Sequence, residues 1–128
     1  MKPQNLYNPL VKTILRSPLH GLMSGNTLLL TFTGRKSGKQ YSTPISYARE
    51  GNTLTLVTHR QHGWWKNLQE PAPIHARVQG QDLCGTAHTV TLDTPALVDE
   101  VQKVYRGIPP ERAVQLAPDV VLIKIELN

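Results

Sequence analysis

The sequence predicts a mainly β protein with flanking helices, its six short strands curled into a small closed or split β-barrel. Three observations carry this. Six runs of strand length, apolar or alternating, recur along the 128 residues. Turn residues punctuate them, and few stretches keep a helical period. A chain this long is expected to form one domain over residues 1–128, burying about two-thirds of its unfolded surface without disulfides or metal.

Residues 1–25 read as an N-terminal helical segment packed on the barrel, with Asn8 as N-cap and Pro9 at the first helical position. Leu10, Ile14 and Leu15 keep helical spacing, and Pro18, Gly21 and Gly25 interrupt the helix beyond them. A basic amphipathic segment touching a membrane surface is the less favoured reading of the same residues. Thr27 to Thr33 is a nearly continuous apolar run, consistent with a strand buried on both faces. Tyr41, Thr43, Ile45 and Tyr47 then alternate with Ser42, Pro44, Ser46 and Ala48. Pro44 cannot donate to a ladder, which predicts an edge position or a bulge there.

Glu50-Gly51-Asn52 reads as a hairpin turn into Thr53–Thr58. His59 to Gly63 is loop-like, and Trp64 to Leu68 a short helix closed by Glu70-Pro71. Ile74–Val78 and Leu83–Leu92 pair around Gly80-Gln81-Asp82. Thr94 is the expected cap of a second helix, with Pro95 at its first position and a stripe of Leu97, Val101, Val104 and Tyr105. A short turn over Glu111–Leu116 leads to a last strand around Val121, Ile123 and Ile125.

Charge is distributed unevenly. The chain carries +5, yet no acidic residue precedes Glu50, while Lys2, Lys12, Arg16, Arg35, Lys36, Lys39 and Arg49 do. Such a one-sided field concentrates anionic ligands. No apolar run approaches the ~18 residues of a membrane span, no signal-peptide pattern opens the chain, and Cys84 stands alone. A cytoplasmic location is the expectation.

The strongest chemical candidate is the turn Gly34-Arg35-Lys36-Ser37-Gly38 with Lys39. It lacks the glycine spacing of a P-loop. A guanidinium fork, an ammonium, a hydroxyl and accessible backbone N–H groups suit an anion all the same. An ordinary solvated basic hairpin fits the same residues, and both readings stand on spacing alone. Trp64 and Trp65 leave two readings open: one or both fill the core or a subunit interface, or one indole packs against a flat ring. Neighbours on a helix point about 100° apart, so the two are not expected to share one role. His59, His62, His75, His88 and Cys84 match no zinc spacing. Ser37, Ser42 and Ser46 lack the setting of a nucleophile. A reaction carried by a bound cofactor needs no protein acid–base pair.

The run Leu29 to Ile45, taken with Trp64-Trp65-Lys66-Asn67-Leu68, resembles the deazaflavin (coenzyme F-420)-dependent nitroreductase family. The family belongs to the flavin-reductase-like, FMN-binding type of split β-barrel. The resemblance implies that Arg35, Lys36, Ser37 and Gly38 hold the phosphate and acidic tail of coenzyme F-420, with FMN as the alternative cofactor. It implies that Tyr41, Ser42, Thr43, Pro44 and Ile45 pass along the ring, and that Thr58, His59 and Arg60 add a second cationic contact. Gly63, Trp64, Trp65 and Asn67 would wall the site. Tyr105 is the nearest candidate for the acceptor pocket. The implied chemistry is hydride transfer to a small acceptor, a quinone or nitro compound, with no protein residue as catalyst and no metal.

Tyr41 stands where such proteins often carry an arginine, which argues against a long polyglutamate tail. A homodimer is also implied. Two other readings compete: a non-catalytic binder of flavin, haem or an apolar ligand, and a basic surface for nucleic acid or anionic membrane. The last is disfavoured. Among the aromatics of residues 1–49, Tyr7, Phe32, Tyr41 and Tyr47, the final two share one strand face with Ile45.

Overall fold

The computed structural model describes residues 26–128, so the helix expected over residues 1–25 lies outside the described residues. Six antiparallel strands close into a barrel: β1 (Thr27–Thr33), β2 (Gln40–Glu50), β3 (Thr53–His59), β4 (Ala72–Val78), β5 (Gln81–Val90) and β6 (Val120–Leu127). Their order round the barrel is β1-β2-β3-β6-β5-β4. The hairpins β1–β2, β2–β3 and β4–β5 are local. The ring is completed by β6, which pairs with both β3 and β5, and by a short seam in which only Leu29–Thr31 of β1 pair with Arg77–His75 of β4.

Period-two alternation decides what faces inward. Leu28, Leu30, Phe32, Leu54, Leu56, Ile123 and Ile125 fill the interior, and Trp65 and Leu68 join them from the segment between β3 and β4. A second cluster lies outside the barrel wall. There Ala48, Val57, Val120 and Leu122 are covered by Val101 and Val104 of α1 (Thr94–Val104) and Ala113 of α2 (Pro110–Leu116). This is why the first half of β6 is apolar without interruption: one face meets the barrel interior and the other meets helices.

Several expectations change in detail. β1 is buried on one face only, Leu28, Leu30 and Phe32 pointing in, while Leu29 and Thr31 are half-exposed on the wall. A short barrel has one interior, and no helix among the described residues covers this strand's outer side. Pro44 makes no bulge in the β1–β2 ladder, which runs unbroken from Thr27↔Ser46 to Thr33↔Gln40. The edge reading holds instead, because β3 joins β2 only from Tyr47 onward.

The β4–β5 turn is Gln79-Gly80, both with positive φ (49° and 82°), as the favoured two-residue hairpin turn requires. Gln81 and Asp82 already belong to β5. Asp93, one residue before the expected cap, caps α1, its carboxylate accepting from the Ala96 N–H at 3.0 Å. Pro95 is tolerated there because first-turn N–H groups have no helical partner. The segment expected as a loop contains a 3₁₀ turn, Arg60–His62, and the short helix expected at Trp64–Leu68 is of the 3₁₀ kind. Glu111–Leu116 belongs to a true helix, α2.

Candidate active site

The site is built from the β1–β2 turn and the second 3₁₀ turn. Two backbone bonds fold the first: Gly34 N–H donates to Lys39 O at 2.8 Å, and Gly38 N–H to Gly34 O at 2.9 Å. Ser37 Oγ accepts from the Lys39 N–H at 3.2 Å and pairs with the Tyr41 hydroxyl at 3.0 Å. Gly34 permits this arrangement. A Cβ there would sit 2.5 Å from Tyr41 Cε2, so the phenol ring lies directly against bare backbone.

Asn67 ties the two turns together. Its Oδ1 accepts from Arg35 N–H at 2.8 Å and from Arg35 Nη1 at 3.3 Å, while its Nδ2 donates to Trp64 O at 2.8 Å. Beside it three rings form a stack. The Phe32 ring lies 5.8 Å from Tyr41 and 5.4 Å from Trp64, both at 27° between planes. This is the offset-stacked range aromatic pairs prefer.

These groups line one cleft of about 270 Å³, walled by Phe32, Gly34, Arg35, Lys36, Ser37, Tyr41, His62, Trp64 and Asn67. Two cations, two hydroxyls and an aromatic wall share it, and among the described residues no carboxylate lines it. Its size sits just below the usual range of ligand clefts, roughly 300–1,000 Å³.

The remaining sequence-predicted residues lie elsewhere. Ser42 faces the barrel exterior, its Oγ 2.9 Å from Thr31 Oγ1. Thr43, Ile45 and Thr58 are buried, and Pro44 is half-buried in the wall. Gly38 is in the turn but off the cleft lining, and Gly63 links the two 3₁₀ turns. His59 and Arg60 line a separate recess with Gln61 and Asp119. Arg60 is committed there: Nη2 donates to Val120 O at 3.3 Å, and the guanidinium lies 5.9 Å from the Trp65 ring centroid. The tryptophans separate: Trp64 lines the cleft, whereas Trp65, which the resemblance also put in the site wall, lies in the core, where its Nε1 donates to Arg60 O at 2.8 Å. Tyr105 packs in the outer cluster between helix and wall, its hydroxyl donating to Val57 O at 3.4 Å. Burial pushes its phenol pKa up.

Phe32 and His62 are the lining residues that sequence reasoning did not assign to the site, whereas Gly34 belonged to the candidate turn. Phe32 carried a signal, being the last inward position before the turn. His62 carried none, since the register of a 3₁₀ turn is not written in a hydrophobic period.

The family model described as F420H(2)-dependent quinone reductase matches residues 15–111. The chain belongs to this family. The resemblance read from the Gly-Arg-Lys-Ser-Gly turn and the Trp-Trp-Lys-Asn-Leu segment therefore holds, and members of the family are reductases that use coenzyme F-420. No curated protein matches the chain.

Among solved structures, an F420-H2 dependent reductase (FDR-A) aligns at 18% identity with a TM-score of 0.58, covering 79% of this chain and 94% of that one. A domain-swapped dimer aligns at 18% identity and TM-score 0.60, covering 98% and 100%. The heme storage protein HutZ from Vibrio cholerae aligns at 12% identity and TM-score 0.61, covering 100% and 92%. At these identities the likeness shows the split-barrel fold alone. No helix among the described residues is long and apolar enough to cross a membrane.

Proposed function

We propose that the protein is a reductase that binds coenzyme F-420 in the Phe32–Trp64 cleft and reduces a quinone. The observation that carries this reading is the sharing of one cleft by the cationic turn and the three-ring wall. Membership of the quinone reductase family supplies the reaction class.

Arg35 offers a fork to a phosphate, Lys36 a point charge, and Ser37 a hydroxyl held by Tyr41. Phe32 and Trp64 offer a flat apolar face to the ring. The bound coenzyme would supply the hydride. The protein's part is to orient the ring, hold the anionic end and exclude water beneath the aromatic wall. The acceptor class includes nitro compounds as a second substrate type, and FMN is the alternative occupant. A homodimer is the proposed assembly, on the strength of the domain-swapped relative.

Titration of the purified protein with coenzyme F-420, FMN and haem, followed by tryptophan fluorescence, tests the reading. Tight binding of the first that the double substitution Arg35→Ala, Lys36→Ala weakens by roughly 1–3 kcal/mol or more supports it. Turnover with a menadione-type quinone separates an enzyme from a carrier. Failure of all three cofactors to bind would sink it.

A further inference from the structure

Resting on the quinone-reductase reading, we infer that His62 is the proton donor of the reaction. Reduction of a quinone takes one hydride and one proton beyond it, the hydride bringing both electrons and the proton completing the second O–H bond. An acid in the cleft can deliver that proton where the acceptor sits. Of the groups lining it, Phe32, Gly34, Trp64 and Asn67 carry no exchangeable acid, and Arg35 does not give up its proton in proteins. The hydroxyls of Ser37 and Tyr41 are bonded to each other at 3.0 Å, and Lys36 belongs to the turn that holds the anionic end. Imidazole is the side chain whose proton exchange falls between pH 5 and 8. His62 is the histidine among the described residues lining this cleft, and no carboxylate among them lines it as a competing donor.

The geometry fits a renewable donor. His62 closes the first 3₁₀ turn on the same side as Trp64, exposed to water that can restore its proton. The charged and titratable groups around it are His59 at the end of β3, edge-on at 5.6 Å between ring centroids, Arg35 and Lys36 from the β1–β2 turn, and Tyr41 from β2. His59 itself lines the neighbouring recess rather than the cleft, so the pair has one member on each side. In the step, the imidazolium N–H bond breaks as the quinone O–H bond forms. The electron pair arrives with the hydride from the reduced coenzyme, whose own second proton leaves to solvent. Water then reprotonates His62, so the sum is reduced coenzyme plus quinone to oxidised coenzyme plus hydroquinone.

Two measurements test this, and the first needs no turnover. The imidazole resonances of His62 and His75 are followed by NMR at fixed pH as oxidised coenzyme F-420 is added. His75 lies on the outer face of β4 beside Asp82 and serves as the reference. The His62 resonances are expected to move when the coenzyme binds, and those of His75 to stay. In the second, wild type, His62→Gln and His75→Gln are compared in menadione turnover across pH. His62→Gln should lower the maximal rate by about 10²-fold and remove the loss of rate on the alkaline side, leaving coenzyme affinity within a few-fold. His75→Gln should keep the wild-type profile. Coenzyme binding with unmoved His62 resonances, or an unchanged rate and pH profile in His62→Gln, would overturn the assignment while leaving the reductase reading intact. A wild-type protein that binds no coenzyme would overturn both.

Discussion

One side-chain amide of Asn67 spans the site, accepting from the Arg35 backbone N–H at 2.8 Å while donating to the Trp64 carbonyl at the same distance. Both ends of the amide are used inside the protein, so Asn67 sets the distance from cationic turn to aromatic wall. Asn67→Ala should cost about 1 kcal/mol of stability, because the bonds are partly exposed. It should weaken coenzyme binding by roughly 3- to 10-fold through loss of the fixed spacing. Paired melting curves and fluorescence titrations check both; wild-type affinity in this variant would refute the spacing role.

The contact of Tyr41 with Gly34 predicts a coupled pair. In Gly34→Ala the new methyl sits 2.5 Å from Tyr41 Cε2, and the ring must swing off the turn. The cost should be about 1–3 kcal/mol, as for other overpacked sites. Adding Tyr41→Ala should recover much of it, giving a strongly non-additive cycle in chemical denaturation. Additive losses would mean the ring had room to move.

The two tryptophans should separate cleanly in fluorescence. Trp64→Phe is expected to abolish coenzyme-dependent quenching while leaving the melting temperature nearly unchanged. Trp65→Phe should keep the quenching but lose about 2–3 kcal/mol, since it vacates core volume and strands the Arg60 carbonyl. Quenching that followed Trp65 would place the ligand elsewhere.

On the far wall, Lys124 Nζ bonds Glu100 Oε1 at 2.6 Å and Thr55 Oγ1 at 2.7 Å, and Lys103 Nζ lies 3.2 Å from Glu100 Oε2. Burial pushes the Glu100 carboxyl up. The hydrogen bonds and charges of Lys124 and Lys103 outweigh that and hold it below its ordinary value. A depressed carboxylate contributes fully above its unfolded-state pKa, and that contribution fades as pH falls through the lower folded value. Glu100→Gln should thus destabilise by about 1–2 kcal/mol at neutral pH and flatten the acid limb of stability, as read from denaturation midpoints. An unaltered acid limb would assign that limb to other carboxylates.

Much of this barrel was legible because a period of two survives in short strands. Tyr41, Thr43, Ile45 and Tyr47 point inward, as their alternation requires. The apolar run of β1 misled because Leu29 reads like core yet sits half-exposed on the wall. Residue type alone does not record which face has a cover. In the site, the basic turn and Trp64 stood out chemically. His59 and Arg60 looked equally suitable, but the Arg60 guanidinium is spent on the Val120 carbonyl and the Trp65 ring, partners that no local motif announces. Tyr105 misled likewise: its stripe belongs to the helix packed outside the barrel, away from the cleft.

The short seam between β1 and β4 has a dynamic consequence. With pairing confined to Leu29–Thr31, it offers far less ladder to break than the β3–β6 joint, which runs unbroken from Thr53 to His59. Sub-global opening should begin there, and amide exchange at residues 29–31 and 75–77 should outpace that at 54–58. The barrel then behaves as a ring whose shortest clasp lies at this seam. The strand bearing that clasp also carries Phe32 and leads into the cationic turn, so the binding cleft can loosen while the helix-covered half stays closed.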